Sequence, residues 1–306
     1  MKIAILSNGN ANFSTKRLKA VAESRGHEVD IIKYKNCYVS IEKDNPAVYY
    51  KGKEIDFKQY QAVIPRIANY MTKYGTAVVR QLEREGIFTT ASAIAISRSR
   101  DKLRSSQILS KAGVEIPRTV ISRNSTDIDG MLELIGGAPV IIKLAASTHG
   151  NGVVLAESKK AARSVLQAFY LSSNEDGTNI MIQEYIAESA GTDIRAFVVG
   201  GRVVASMKRQ SLDDDFRSNL HRGGAGSAIK LTDEERKTAI KAAKALGISV
   251  CGVDIMRSNR GPLVLEVNAS PGFGIEKVTG RDVATPIIEY VERNAKKGAK
   301  KDRIGS

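Results

Sequence analysis

Two short apolar runs near the end of the chain, residues 252–256 and 263–268, are joined by Arg257-Ser258-Asn259-Arg260-Gly261-Pro262. A polar link of that length, carrying Gly and Pro between two strand-like runs, predicts a hairpin. Folding back at the link sets Asp254 opposite Glu266, and Glu266 and Asn268, two apart on one strand, share a face. Leu265 and Val267 then point the other way. Three oxygen-bearing side chains on one patch of an apolar hairpin suit a hard cation, with magnesium completed by water and phosphate oxygens. A solvent-facing hairpin with chance acids is the plainer alternative. The apolar neighbours on both strands speak against it.

The rest of the last third is also rich in strands: residues 180–186, 193–199 and 202–209, interrupted by a helix over 232–246 that Thr232 and Glu235 open as a capping box. The first ninety residues differ. Strands at 2–7, 28–33 and 61–65, a helix over 14–25 stopped by Gly26, and a small hairpin at Tyr50-Lys51-Gly52-Lys53 predict an α/β layer with a parallel sheet. One long helix is expected over 91–112, closed by Gly113 and Pro117, followed through residue 171 by strand, helix, strand, strand and helix.

Composition sets the class. At 306 residues there is room for roughly two domains, and 42% hydrophobic with 26% charged residues is ordinary for a globular protein. Cys37 and Cys251 lie far apart, which excludes a disulfide framework and fits a reducing cytosol. His27, His149 and His221 share no zinc-ligand spacing. Uncharged stretches such as 86–97 are too short to span a bilayer, so a soluble, cytoplasmic protein with no membrane partner is expected. Lys and Arg number 47 against 33 Asp and Glu, a net charge of +14, and residues 293–303 supply +5 of it. That predicts attraction to acidic partners. The basic end lacks interleaved aromatic residues for base stacking, so direct nucleic-acid binding is not expected.

Three further stretches bear on chemistry. Lys143 stands inside the apolar strand 139–144, where it either snorkels from a sheet edge or meets a phosphate. The small-residue turn Gly150-Asn151-Gly152 that follows has backbone N–H groups that could cover phosphates. The loop 215–224 holds Arg217, Ser218, Asn219 and paired glycines, and Arg forks recognise phosphate and carboxylate oxygens. Neither a Walker A sequence nor a dinucleotide fingerprint occurs.

Taken together, Asp101-Lys102, Lys143, the 150–152 loop, Gln183-Glu184-Tyr185-Ile186, Asp193-Ile194-Arg195, Phe216-Arg217-Ser218-Asn219 and Glu266-Val267-Asn268-Ala269-Ser270-Pro271-Gly272 resemble an ATP-grasp ligase of the RimK type. Enzymes of that type add glutamate to the C-terminus of a ribosomal small-subunit protein. The resemblance runs from Met1 through Val63-Ile64-Pro65-Arg66-Ile67 to Glu276. It implies an α/β ATP-grasp fold, with an N-terminal parallel-sheet domain (1–90), a central lobe with its linking helix (91–182), a C-terminal lobe (183–292) and a basic tail (293–306). The two antiparallel-sheet lobes would clasp ATP.

Carried onto matching positions, Lys102 and Lys143 would contact ATP phosphates. Glu184 with Tyr185 and Ile186 would hold adenine, and Asp193 the ribose. Arg217, Ser218 and Asn219 would approach the triphosphate end. Asp254, Glu266 and Asn268 would hold two Mg2+ or Mn2+ ions. Arg209 and Arg217 are the candidates for stabilising anionic intermediates, with Arg195 a third. The implied partners are ATP, L-glutamate, and an acidic ribosomal-protein C-terminus or growing glutamate tail, and the implied assembly is a homotetramer. The same chemistry on a cofactor or a small amino acid, or a ribosome- or RNA-associated binding protein, are the alternatives.

Overall fold

The computed structural model describes residues 1–9, 12–43, 47–124, 126–144, 152–171, 179–211 and 224–297. The chain opens with β1 (Lys2–Ser7), α1 (Phe13–Ser24) and β2 (Glu28–Ile32), then β3 (Cys37–Ser40), β4 (Ala47–Tyr50) and β5 (Lys53–Glu54). Next come β6 (Ala62–Arg66), α2 (Thr72–Arg84) and β7 (Phe88–Thr89). Strands β2-β1-β6-β7 form a parallel sheet, as expected, and β3-β4-β5 an antiparallel flap. The predicted hairpin turns at Lys51 (φ 53°) and Gly52 (φ 80°), the two left-handed residues that a tight two-residue link requires.

β1 shows why this layer forms. Ile3 and Ile5 enter one core with Leu18 and Ala22 of α1, while Ala4 and Leu6 enter another with Val63, Val78 and Leu82. A strand buried on both faces is the mark of a covered parallel sheet. From β1 the chain moves to β2 on one side and returns to β6 on the other, so Ser7 and Arg66, register partners, flank the crevice where the winding reverses.

The long helix expected over 91–112 is two helices, α3 (Ala93–Arg100) and α4 (Lys102–Lys111). Asp101 separates them. Its backbone is extended (φ −84°, ψ 102°), and its carboxylate accepts a hydrogen bond from Arg104 N at 3.0 Å. An Asp that caps is more stable outside the helix than within it.

The next segment follows the predicted order: β8 (Thr119–Ser122), α5 (Ile128–Ile135), β9 (Val140–Leu144), β10 (Val153–Ala156), α6 (Lys159–Leu171) and β11 (Ile180–Glu184). These make an antiparallel sheet β10-β9-β11-β8, with a core of its own built from Leu132, Ile142, Leu166, Ile182 and their neighbours.

The C-terminal third contains β12 (Thr192–Val199), β13 (Arg202–Gln210), β14 (Ala225–Ala228), α7 (Asp233–Leu246), β15 (Val250–Ser258), β16 (Gly261–Asn268), α8 (Gly274–Thr279) and α9 (Ala284–Asn294). Its antiparallel sheet runs β14-β13-β12-β15-β16, and Thr232 and Glu235 form the expected capping box on α7. The β15–β16 strands run longer than the sequence suggested, leaving Asn259-Arg260 as the turn. Pro262 is accommodated because β16 is an edge strand. Helices α2, α8 and α9 were not among the expected elements. α9 supplies Ile287, Ile288 and Val291 to the core beneath β1, and its extension buries Ala295, so the basic tail begins later than residue 293. Among the described residues no helix is long and apolar enough to cross a membrane.

Candidate functional site

The register of the C-terminal sheet lines up the charged residues. Asp193 pairs with Arg209 across β12–β13, Arg195 with Asp254 across β12–β15, and Asp254 with Glu266 across β15–β16. The sequence-predicted juxtaposition of Asp254 and Glu266 is therefore observed. Side chains two apart on a strand share a face, so all five point to one side of the sheet.

There they form a network. Arg195 Nε and Nη2 donate to Asp254 Oδ1 and Oδ2 at 2.7 and 2.6 Å. Arg209 Nε and Nη2 donate to both oxygens of Asp193 at 2.6 Å, and Nη2 also lies 2.8 Å from Asp254 Oδ2. Burial opposes the charge on Asp254, which is 3% exposed, but Arg195 and Arg209 overcome it and hold the carboxyl well below its ordinary range. Burial likewise opposes charge on Arg209, and Asp254 and Asp193 outweigh it. Asp254 is ionised.

Glu266 stands at the open edge of this network, 3.9 Å from Arg195 Nη2, its side chain 56% exposed. Desolvation by the surrounding walls and then repulsion from Asp254 push its carboxyl up from the ordinary value. Asn268 Oδ1 accepts from Ser270 N at 3.0 Å, which fixes the amide's orientation. A β-bulge between Asp254 and Ile255 changes the register, so the residue after Asp254 pairs with Val264. Two carboxylates held side by side against their repulsion, with an amide oxygen beside them, fit a divalent cation that takes oxygen ligands.

Two lysines lie within electrostatic reach of Glu266. Lys143, on β9, donates from Nζ to Gln183 Oε1 at 2.7 Å on neighbouring β11. Burial pushes its ammonium down to about 8, Glu266 pulls it up, and Lys102 pushes it down again. Lys102, the first residue of α4, is also lowered by burial and drawn up by Glu266. Lys143 Nζ is thus held by the buried Gln183 side chain. Two mutually repelling cations near one another are suited to a polyanion.

At the junction between the lobes, Glu184 ends β11. It accepts from Arg118 N at 2.7 Å and is gripped by the Arg260 guanidinium from the β15–β16 turn. The carboxylate thus ties the central sheet to the C-terminal one. Tyr185 and Ile186 continue the junction, with Ile186 buried. The Asp193 carboxylate, to which the resemblance gives the ribose, is bound at both oxygens by Arg209. Arg209 in turn is engaged by two aspartates. Gly150 and Asn151, and Arg217, Ser218 and Asn219, lie outside the described residues. Sequence reasoning missed Gln183 as the partner of Lys143 and Arg260 as the partner of Glu184, because both pairings join elements far apart in the chain.

Comparison with known proteins identifies the family. Residues 99–291 match the RimK-like ATP-grasp domain, and residues 1–96 match the RimK PreATP-grasp domain. The chain is 55% identical over 304 residues to a probable alpha-L-glutamate ligase 2 of Pseudoalteromonas atlantica, covering 99% of each chain. It is 54% identical over 305 residues to a probable alpha-L-glutamate ligase of a Picosynechococcus species, again covering 99% of each. Among solved structures it is similar in fold to the ATP-grasp ligase PsnB complexed with minimal precursor, Mg and ADP (TM-score 0.73, 19% identity, 96% of this chain and 98% of that one). These matches show that the chain belongs to the RimK-like ATP-grasp family and is an ADP-forming ligase that uses ATP and a divalent cation.

Proposed function

We propose that this ligase joins the α-amine of L-glutamate to a carboxylate at the acidic C-terminus of a protein, with a ribosomal small-subunit protein as the acceptor, and that repeated turnover builds an oligoglutamate tail. The observation that carries the reading is that Lys102 and Lys143 lie within electrostatic reach of Glu266, which pairs with Asp254 and stands two residues from Asn268 on β16. The names of the full-length relatives support glutamate as the amino acid. A net charge of +14 suits substrates that are all anionic and an acceptor that gains negative charge with each addition.

Asp254, Glu266 and Asn268 would hold two Mg2+ or Mn2+ ions, which would neutralise phosphate charge that otherwise repels an anionic nucleophile. Lys102 and Lys143 bind the phosphates from opposite walls. An acceptor carboxylate oxygen attacks the γ-phosphorus, the bond to the β-phosphate oxygen breaks, and an acyl phosphate and ADP result. The glutamate amine then attacks the acyl carbon, loses a proton and expels phosphate. Arg195 and Arg209 fix Asp254, ionised and aimed, throughout. Arg217 is assigned to the anionic intermediates. Glu184, Tyr185 and Ile186 form the adenine side of the cleft, Asp193 borders the ribose, and Ser218 and Asn219 border the triphosphate. The working assembly is a homotetramer in the cytoplasm.

The test is mass spectrometry of purified acceptors incubated with ATP and each amino acid in turn. Glutamate-sized increments on an acidic C-terminus, with matching ADP release, are expected. Increments with another amino acid, or on a small molecule only, would replace the assignment.

A further inference from the structure

Two arginines at the carboxyl end of the parallel sheet have no part in the site described above. Arg66 is the last residue of β6, and Arg100 the last of α3. Among the described residues neither makes an ion pair with a carboxylate, although both are at least half buried. Arg66 donates from Nη2 to the carbonyl oxygen of Pro271 at 2.6 Å, and its guanidinium lies 5.2 Å from the ring centre of Phe273. A guanidinium carries five N–H donors, and the one hydrogen bond that Arg66 makes among the described residues leaves most of its donors to something else. Arg100 donates from Nη1 to Ala68 O at 2.9 Å and to Thr72 Oγ1 at 2.8 Å, and from Nη2 to Ile67 O. Burial, and for Arg66 also the neighbouring Arg100, pulls both groups down to about 10, still charged at neutral pH.

Their place in the fold is informative. Arg66 is the register partner of Ser7, at the point where the winding of the sheet reverses between β1 and β6. In open α/β sheets that crevice is where ligands bind. It adjoins the reaction site. Pro271, which Arg66 holds, sits against Gly252: a Cβ there would stand 3.2 Å from Pro271 Cβ and 3.5 Å from Arg195 Cδ. Arg195 in turn grips Asp254. Beside Pro271, the Ser270 hydroxyl is buried with no partner among the described residues.

We propose that Arg66, set in place by the Arg100-braced loop and with Ser270 beside it, is a carboxylate subsite for one of the two non-nucleotide substrates. This rests on the reading that the enzyme joins glutamate to an acidic acceptor, since both carry carboxylates beyond the one that reacts. A charged, under-bonded guanidinium, with a buried unpartnered hydroxyl one residue before the carbonyl it holds, matches a carboxylate in charge and in hydrogen-bond donors. Arg100, spent on the carbonyls of residues 67 and 68, is a positioning residue.

The experiment compares wild type with Arg66→Gln and Arg66→Lys by two readouts. In steady-state ligation, Arg66→Gln is expected to raise KM for one substrate by between about tenfold and a hundredfold while the KM for ATP stays within about twofold. A rise for L-glutamate places the amino acid there, and a rise for an acidic peptide places the acceptor. Arg66→Lys, which keeps the charge and the fold, should recover part of the loss. In calorimetry with the ADP complex, glutarate, a dicarboxylate with no amine, should bind wild type and not Arg66→Gln. Glutarate binding that depends on Arg66 in an enzyme that fails to ligate glutamate would keep the subsite and remove the proposed reaction. Ligation with both KM values unchanged in Arg66→Gln, or glutarate failing to bind wild type, would overturn the subsite.

Discussion

At the scale of single residues, the proposed phosphate contact of Lys143 would tie protonation to nucleotide binding. Its ordinary value of 10.5 is lowered to about 8 by burial, so between those values the folded protein holds fewer protons than the unfolded chain. The sign follows from linkage: this group makes the nucleotide-free protein gain stability as pH rises from about 8 towards 10.5. Phosphates favour the ammonium, so ATP binding between pH 8 and 9 should take up protons, measurable by calorimetry in buffers of different ionisation heat. Lys143→Met should lose that uptake and weaken binding of a non-hydrolysable ATP analogue by about tenfold or more, a figure of the size expected for a charge-assisted contact. Unchanged affinity would mean that the lysine serves only Gln183. Glu266→Gln should cut ATP turnover by about a hundredfold or more, comparable to removing one preorganised stabilising group. Its melting temperature should not fall, since the change relieves repulsion with Asp254. A stable variant with normal ligation would take Glu266 out of the metal site.

Elements place these residues, and elements are where sequence was a partial guide. The juxtaposition of Asp254 and Glu266 was legible because a period of two and a short turn are local facts, and the register shows that pairing. The Arg195–Asp254–Arg209–Asp193 network was not, because it needs the order β13-β12-β15, which no local pattern encodes. The break at Asp101 was missed for a related reason: an Asp within a helical pattern looks tolerated until its side chain is seen to cap the following turn. Asp101→Ala should cost about 1 kcal/mol of stability through the lost cap, and should weaken ATP binding as well, since Lys102 begins the helix it caps. A loss of stability with unchanged nucleotide affinity would separate the break from the site. Asp254→Asn leaves two guanidiniums without their shared anion and should destabilise the fold by about 3–5 kcal/mol. Because the Asp254 carboxyl is depressed in the fold, its contribution is fully present above its unfolded value of 3.8 and drains away as pH falls below it. Denaturant midpoints of wild type and variant should therefore converge in acid.

For the whole molecule, the two lobes carry separate cores, the central one built on β8–β11 and the others shared between the parallel sheet and the C-terminal sheet. Glu184 is the charged tie between them, to Arg118 on one side and Arg260 on the other. The net positive charge acts at a longer range. Residues 298–306, outside the described residues, carry +2 (Lys300, Lys301 and Arg303 against Asp302). Removing them while keeping α9 and Ala295 should slow ligation of an acidic protein acceptor modestly at low salt and leave a small acceptor untouched. The difference should fade towards physiological ionic strength, where the screening length is about 8 Å. Equal slowing of both acceptors at all salts would give the tail a structural role instead. Activation of an acceptor carboxylate as an acyl phosphate is read out by labelling that carboxylate with heavy oxygen. One labelled oxygen should pass into inorganic phosphate for every bond formed. Bond formation with unlabelled phosphate would contradict it.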